Sequence, residues 1–208
     1  QIARDHLPDN IGLEWSGLSY QEKQAGGQTG IILSLVFIFV FLFLAALYES
    51  WSIPIAVLLS LPVAALGAYI GIAVCGLEND TYFQIGLVML MGLAAKNAIL
   101  IVEFAKDETD AGVNVLKATL HAARLRFRPI LMTSFAFILG ILPMVLASGP
   151  GSASRKAIGT GVFFGMLAAV FIGIQLIPFF FITIYKAKNR LQAKKGNKEQ
   201  KAIAQQQL

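Results

Sequence analysis

A chain of 208 residues with 56% apolar and only 14% charged residues, and a mean hydropathy of +0.68, is too apolar for a soluble domain, in which about a quarter of residues carry charge. The net charge of +5 and sequence pI near 9.4 do not point to nucleic acid. The basic residues gather around Arg124–Arg128 and from Lys186 onward, beside apolar segments, where they act as topology signals. A single cysteine, Cys75, excludes an intrachain disulfide. The composition predicts an all-α membrane protein with about five transmembrane helices, a short polar head and a basic cytoplasmic tail.

Residues 1–28 are the polar head. In it Ile11, Leu13 and Trp15 alternate as on one face of a strand. So short an element builds no core of its own, and no signal-peptide pattern opens the chain. The head therefore reads as the end of a larger soluble domain. The first predicted span covers 31–47 and ends at Tyr48-Glu49-Ser50-Trp51, residues of the kind that anchor a helix at an interface. The second, 53–74, has Pro54 in its first turn, where a missing N–H costs little, then Pro62 and the pair Gly67 and Gly71. Gly76 to Asp80 forms a tight acidic turn. The third span is 82–104.

From 105 to 127 the chain is polar and amphipathic, with Val113, Leu116, Leu120 and Ala123 three to four apart, which predicts a helix lying on the membrane surface. A fourth span at 129–147 contains Pro143. A Gly/Ser loop leads to the fifth, 158–185, which Gln175 and Pro178 interrupt. The glycines Gly67, Gly71, Gly161, Gly165 and Gly173 are expected at close helix contacts. Residues 186–208 form a basic tail. Basic loops stay in the cytoplasm, so the Arg124–Arg128 run and the tail are expected there, with the head and the Gly76–Asp80 turn outside.

The most informative residue is Lys96, in Gly92-Leu93-Ala94-Ala95-Lys96-Asn97-Ala98-Ile99-Leu100-Ile101-Val102-Glu103-Phe104. A lysine near the centre of a spanning helix costs about 2.5–3.5 kcal/mol on insertion scales, and such residues commonly mark ion or proton pathways. It needs a carboxylate. Glu103 lies about two turns away on the same helix, and Glu49 belongs to an interface. The counter-charge is therefore expected from helices outside this chain. Snorkelling toward an interface is the plainer reading of Lys96, as anchoring is of Arg126 and self-bonding to the helix backbone is of Thr133.

Three segments carry a specific resemblance: Tyr48-Glu49-Ser50-Trp51-Ser52-Ile53-Pro54, the Gly92–Ala105 run, and Arg128-Pro129-Ile130-Leu131-Met132-Thr133-Ser134. Together they resemble the C-terminal membrane half of the resistance-nodulation-division efflux permeases, in the hydrophobe/amphiphile branch, over nearly the whole chain. The resemblance implies that the spans are the eighth to twelfth helices and that the head ends a periplasmic porter domain. It also implies a proton-driven drug antiporter of the bacterial inner membrane: a homotrimer working with a periplasmic adaptor and an outer-membrane channel. Protons are the coupling ion and no cofactor is involved. By the same resemblance Lys96 is the relay lysine that pairs with two aspartates on a helix of the remaining permease, Arg126 is a further basic relay residue, and Thr133 is its hydroxyl partner. Asn97 adds polarity or packing beside Lys96.

Other readings fit less well. An intramembrane enzyme would want paired aspartates, a His-Glu-x-x-His zinc site or a serine with a basic partner; His6 and His121 lie in polar segments instead. A purely structural subunit leaves Lys96 costly and idle. A relative carrying metal, lipid or protein is the alternative within the superfamily, and the scattered Met89, Met91, Met132, Met144 and Met166 argue against a metal cargo. An inactive truncated fragment is the remaining alternative.

Overall fold

A computed structural model describes residues 29–51 and 53–187. Every regular element among the described residues is a helix: α1 (Thr29–Tyr48), α2 (Ile53–Leu58), α3 (Leu61–Cys75), α4 (Thr81–Asp110), α5 (Val115–Val145) and α6 (Ser152–Ala168). Beyond α6 a π-helical turn, Ala169–Gly173, leads into further helix at 174–187. Five helical stretches are long and apolar enough to cross a membrane, namely Gly30–Tyr48, Ile53–Cys75, Thr81–Asp110, Val115–Val145 and Ser152–Ala187. The all-α membrane fold and its five spans match the expectation. The strand expected at Ile11–Trp15 and the tail from 188 on lie outside the described residues.

Local chemistry sets the breaks. Pro62 has no N–H to return to Leu58, and the Ser60 hydroxyl donates to the Val57 carbonyl at 2.6 Å, so the second span divides into α2 and α3. At its far end Gly76 adopts φ 64°, with its N–H on Ala73 and the Leu77 N–H on Ile72. This is the left-handed helix stop that glycine adopts without a Cβ penalty. Asp80 caps α4 by accepting from the Phe83 N–H at 2.7 Å, and Asn114 caps α5 by accepting from Leu116 at 3.0 Å.

The expected separate helix at 105–127 is not found. Ala105–Asp110 continues α4, a short turn follows, and α5 starts at Val115 and runs unbroken through Pro129 to Val145. Proline inside a spanning helix is tolerated because its surroundings adjust to the freed carbonyl; Pro129 frees the Leu125 carbonyl, and one turn further on the Thr133 hydroxyl donates to the Pro129 and Ile130 carbonyls at 3.2 and 3.1 Å. The fifth span likewise begins earlier than expected, at Ser152, and its interruption is the π turn. There the Gln175 side-chain amide donates to the Phe171 carbonyl at 2.8 Å, supplying a donor where the helix ladder is perturbed.

Helix α6 lies at the centre, touching α3, α4 and α5. Lipid tails are as apolar as leucine, so helices associate through close packing rather than through exclusion from water. A Cβ on Gly67 of α3 would overlap Ala168 and come within 2.9 Å of the Phe164 carbonyl; one on Gly71 would strike the Phe164 ring at 2.6 Å. On α6, Gly161 faces Phe83 of α4 at 2.7 Å, and Gly165 faces Leu90 and, at 3.0 Å, the Ala64 carbonyl. Two further glycines do the same. Gly159 lies against Met144 and Val145 of α5, and Gly86 of α4 against the Ile158 carbonyl at 3.3 Å. Gly173 departs from the expectation: it is buried, yet a Cβ there meets nothing nearer than 3.9 Å, so it makes no close helix contact and instead closes the π turn.

Helix α1 is held differently. Only 6% of its apolar window is buried, and its attachment is at its last turns through Leu44 and Tyr48. The Tyr48 hydroxyl donates to the Ile99 carbonyl at 3.4 Å, and the Lys106 ammonium donates to the Tyr48 carbonyl at 3.3 Å. Of the expected interface anchors, Trp51 is exposed, whereas Tyr48 is buried against α4.

Gly67→Ala should destabilise the bundle by about 1–3 kcal/mol, because backbone must move to admit the methyl. Gly140→Ala, where the added carbon meets open space, should be neutral or stabilising by up to ~1 kcal/mol. Thermal unfolding of the purified full-length protein in detergent measures both.

Candidate functional site

The site is built on the seam between α4 and α5, which run antiparallel. Three contacts fix their register: the Asn97 Nδ2 donates to the Ser134 Oγ at 3.3 Å, the Arg126 guanidinium sits 5.2 Å from the centre of the Phe104 ring, and His121 Nδ1 pairs with Glu108. As numbers rise along α4 they fall along α5 in step. Asn97 and Ser134 are both buried, so their bond satisfies two polar groups inside apolar surroundings, where an unpaired one would cost ~1–3 kcal/mol.

Lys96 lies at the middle of the 30-residue α4. Successive helical residues are rotated by about 100°, so with Asn97 turned into the seam Lys96 emerges beside it, and it is exposed. Ile85, Met89, Gly92, Lys96, Glu103 and Asp107 are all exposed and recur at helical spacing, forming one uncovered stripe along α4. Among the described residues the Lys96 ammonium has no hydrogen bond or ion pair. Gly92, one turn away, has open space where a Cβ would be.

The other expected site residues are distributed along the seam. Thr133 is at the level of Asn97 and Lys96, but it is exposed and its hydroxyl donates to its own helix backbone. Arg126 is at the level of Phe104, eight residues from Lys96, which is about 12 Å along the axis. The structure therefore brings Asn97 and Ser134 together, sets Thr133 alongside, and keeps Arg126 apart from Lys96. The Arg126 Nε is buried without a hydrogen-bond partner in the described structure. Its guanidinium is held instead by the ring beneath it, a contact worth roughly 0.5–2 kcal/mol depending on desolvation.

Sequence reasoning missed Ser134, Phe104 and the His121–Glu108 pair. Ser134 had a signal, since a polar residue inside a span needs a partner and Asn97 was another such residue. The remaining two emerge only once the register of α4 against α5 is known.

Relatives give the seam its context. The model of the AcrB/AcrD/AcrF family matches residues 1–185. The toluene efflux pump membrane transporter TtgB of Pseudomonas putida is 53% identical over 178 residues, covering 86% of this chain and 17% of that protein. The multidrug export protein AcrF of Escherichia coli is 50% identical over 179 residues, again 86% and 17%. The toluene efflux pump membrane transporter TtgE, also of Pseudomonas putida, is 46% identical over 203 residues, covering 97% of this chain and 19% of its own length. The chain thus spans less than a fifth of these curated relatives. With its five spans, its packed glycines and the family match over most of its length, the chain belongs to the AcrB/AcrD/AcrF family.

Proposed function

We propose that this chain forms part of a proton-driven drug-efflux permease of the bacterial inner membrane and supplies the basic side of its proton relay. The observation that carries the reading is Lys96: a cation at the centre of an apolar helix, on an uncovered stripe, unpaired among the described residues and beside a glycine that leaves room for close approach. An ammonium left so in hydrocarbon would be costly. A partner helix bearing carboxylates, supplied by the rest of the permease, resolves that cost. The names of the relatives, which describe efflux of toluene and export of multiple drugs, support the cargo.

The mechanism follows from the charge. While the facing carboxylates are ionised, Lys96 is held against them. Protonating one weakens that attraction, and the two helices separate or shift. Each proton moved down 100 mV provides about 2.3 kcal/mol, enough to bias a two-state arrangement. Asn97, bonded to Ser134, fixes the rotation of α4 and so the direction in which Lys96 projects. Arg126 acts a further two turns along, where its charge lies too far for contact with Lys96 but within reach of protonatable groups arriving between the helices. We further propose, from the family resemblance, a homotrimer working with a periplasmic adaptor and an outer-membrane channel, and no enzymatic activity.

In the full-length permease, Lys96→Ala should abolish proton-dependent dye efflux from energised cells at unchanged membrane abundance. Efflux equal to wild type would make Lys96 a tolerated structural charge. Arg126→Ala should uncouple transport from the proton gradient in vesicles, whereas Phe104→Leu, which removes only the ring beneath the guanidinium, should lower transport by no more than the roughly 30-fold that ~2 kcal/mol allows. If both variants transport normally, Arg126 is an anchor. Ser134→Ala, which leaves the buried Asn97 amide without its partner, should cost about 1–3 kcal/mol in thermal stability and leave efflux measurable.

A further inference from the structure

The first half of α5 carries charge that the relay does not use. Lys117, Arg124 and Arg128 are exposed and, at seven and eleven residues from Lys117, recur on one face of the helix. His121 falls on the same stripe and is bonded to Glu108. Arg126 does not belong to it, being turned toward Phe104. Among the described residues Lys117, Arg124 and Arg128 have no ion pair. Immediately beside this basic stripe runs an apolar one: Leu116 and Leu120 are each 48% exposed and Phe127 47%. The third side of the helix, with Ala118, Thr119 and Ala122, is buried.

Helix length places these stripes. The 31 residues of α5 extend about 46 Å, against a hydrocarbon core of about 30 Å. With the Val145 end at one face of that core, roughly 16 Å of the other end stands outside it. The distance from Lys117 to Arg128 is also about 16 Å. On this placement Arg128 lies about 4 Å inside the edge of the core, Arg124 about 1–2 Å outside it and Lys117 about 12 Å outside, so the cations run from the hydrocarbon edge through the headgroup region to the water. The partner recognised by this face is a lipid: phosphate oxygens meet Arg124 and Arg128, with Lys117 adding its charge from the water side, acyl chains meet Phe127 at the edge of the core, and Leu120 and Leu116 flank the headgroups beyond it.

We propose that the first half of α5 is a docking surface for anionic phospholipid headgroups. The charge favours acidic lipids over zwitterionic ones, because a zwitterionic headgroup presents a cation next to its phosphate and an acidic one such as phosphatidylglycerol does not. Glu108, bonded to His121, is the carboxylate bordering the stripe. The exposed acids Glu103 and Asp107 lie on the Lys96 stripe of α4.

The test places a photo-crosslinking benzoylphenylalanine at Leu120 in the full-length protein, in bilayers mixing phosphatidylcholine with phosphatidylglycerol, and identifies the adducts by mass spectrometry. Phosphatidylglycerol adducts should exceed their share of the bilayer by about fivefold or more, the ratio that one basic residue near a charged bilayer surface supplies. The combined Lys117→Gln, Arg124→Gln and Arg128→Gln variant should return the ratio to that of the bilayer, and Lys117→Arg with Arg124→Lys and Arg128→Lys should keep it. Adducts to protein rather than lipid would show that another part of the permease covers this face, and lipid adducts in bilayer proportion would show no headgroup selection. Either result overturns the proposal.

Discussion

Close approach of α6 to three other helices is the constraint on which the bundle rests. In lipid there is no water to expel from between two apolar helices, so cohesion comes from contacts whose strength falls steeply with distance. Glycine permits the shortest distances. Gly159, Gly161 and Gly165 let α6 meet α5, α4 and α3 in turn, and Gly67 and Gly71 let α3 close on it from its own side. Aromatic and branched residues then fill the adjoining space: Phe83, Leu87, Leu90 and Val162 are buried at this junction. Glycine weakens a helix by about 1 kcal/mol relative to alanine; in a spanning helix, whose backbone bonds cannot be exchanged for water, that loss is more easily borne.

The same arrangement decides which polar groups are free to act. Asn97 and Ser134 satisfy each other, Thr133 satisfies its helix, and His121 takes Glu108. These bonds fix the rotation of α4 about its axis. Once that rotation is fixed, Lys96 has no choice of direction, because it precedes Asn97 by one helical step. The polar seam is thus the positioning device for the proposed relay, its side chains bonded to one another or to their own helix rather than to Lys96. Lys96 and Arg126 are separated by about 12 Å along the helix axis, too far for one carboxylate to contact both cations.

Much of this was legible in the residues. Apolar runs of spanning length predicted the five helices, and the cost of Lys96 in such a run singled it out before any contact was known. Four of the five expected packing glycines sit where a Cβ would collide with a neighbour; Gly173 does not. What the sequence obscured was continuity. Residues 105–127 look like a separate surface helix because their polarity changes abruptly, but polarity reports the surroundings and not the backbone. Asn114 caps a helix that crosses from polar to apolar surroundings without a break, and Pro129 marks the crossing without ending it. The register of α4 against α5 was equally hidden, since nothing in either helix alone says that Phe104 will lie beneath Arg126.

That continuity has a physical consequence. A single helix from Val115 to Val145 joins the basic stripe at and beyond the edge of the hydrocarbon to the seam inside it. A rigid helix cannot rotate at one end and stay still at the other, so a force on Lys117, Arg124 or Arg128 is felt at Ser134. Pro129, between them, softens the helix by leaving the Leu125 carbonyl without its backbone donor, and one turn on the Thr133 hydroxyl adds a second donor to the Pro129 and Ile130 carbonyls, a back-bond of the kind that bends helices. The Thr133 hydroxyl is thus engaged by its own helix where the two halves of α5 meet, whatever part it takes in proton transfer.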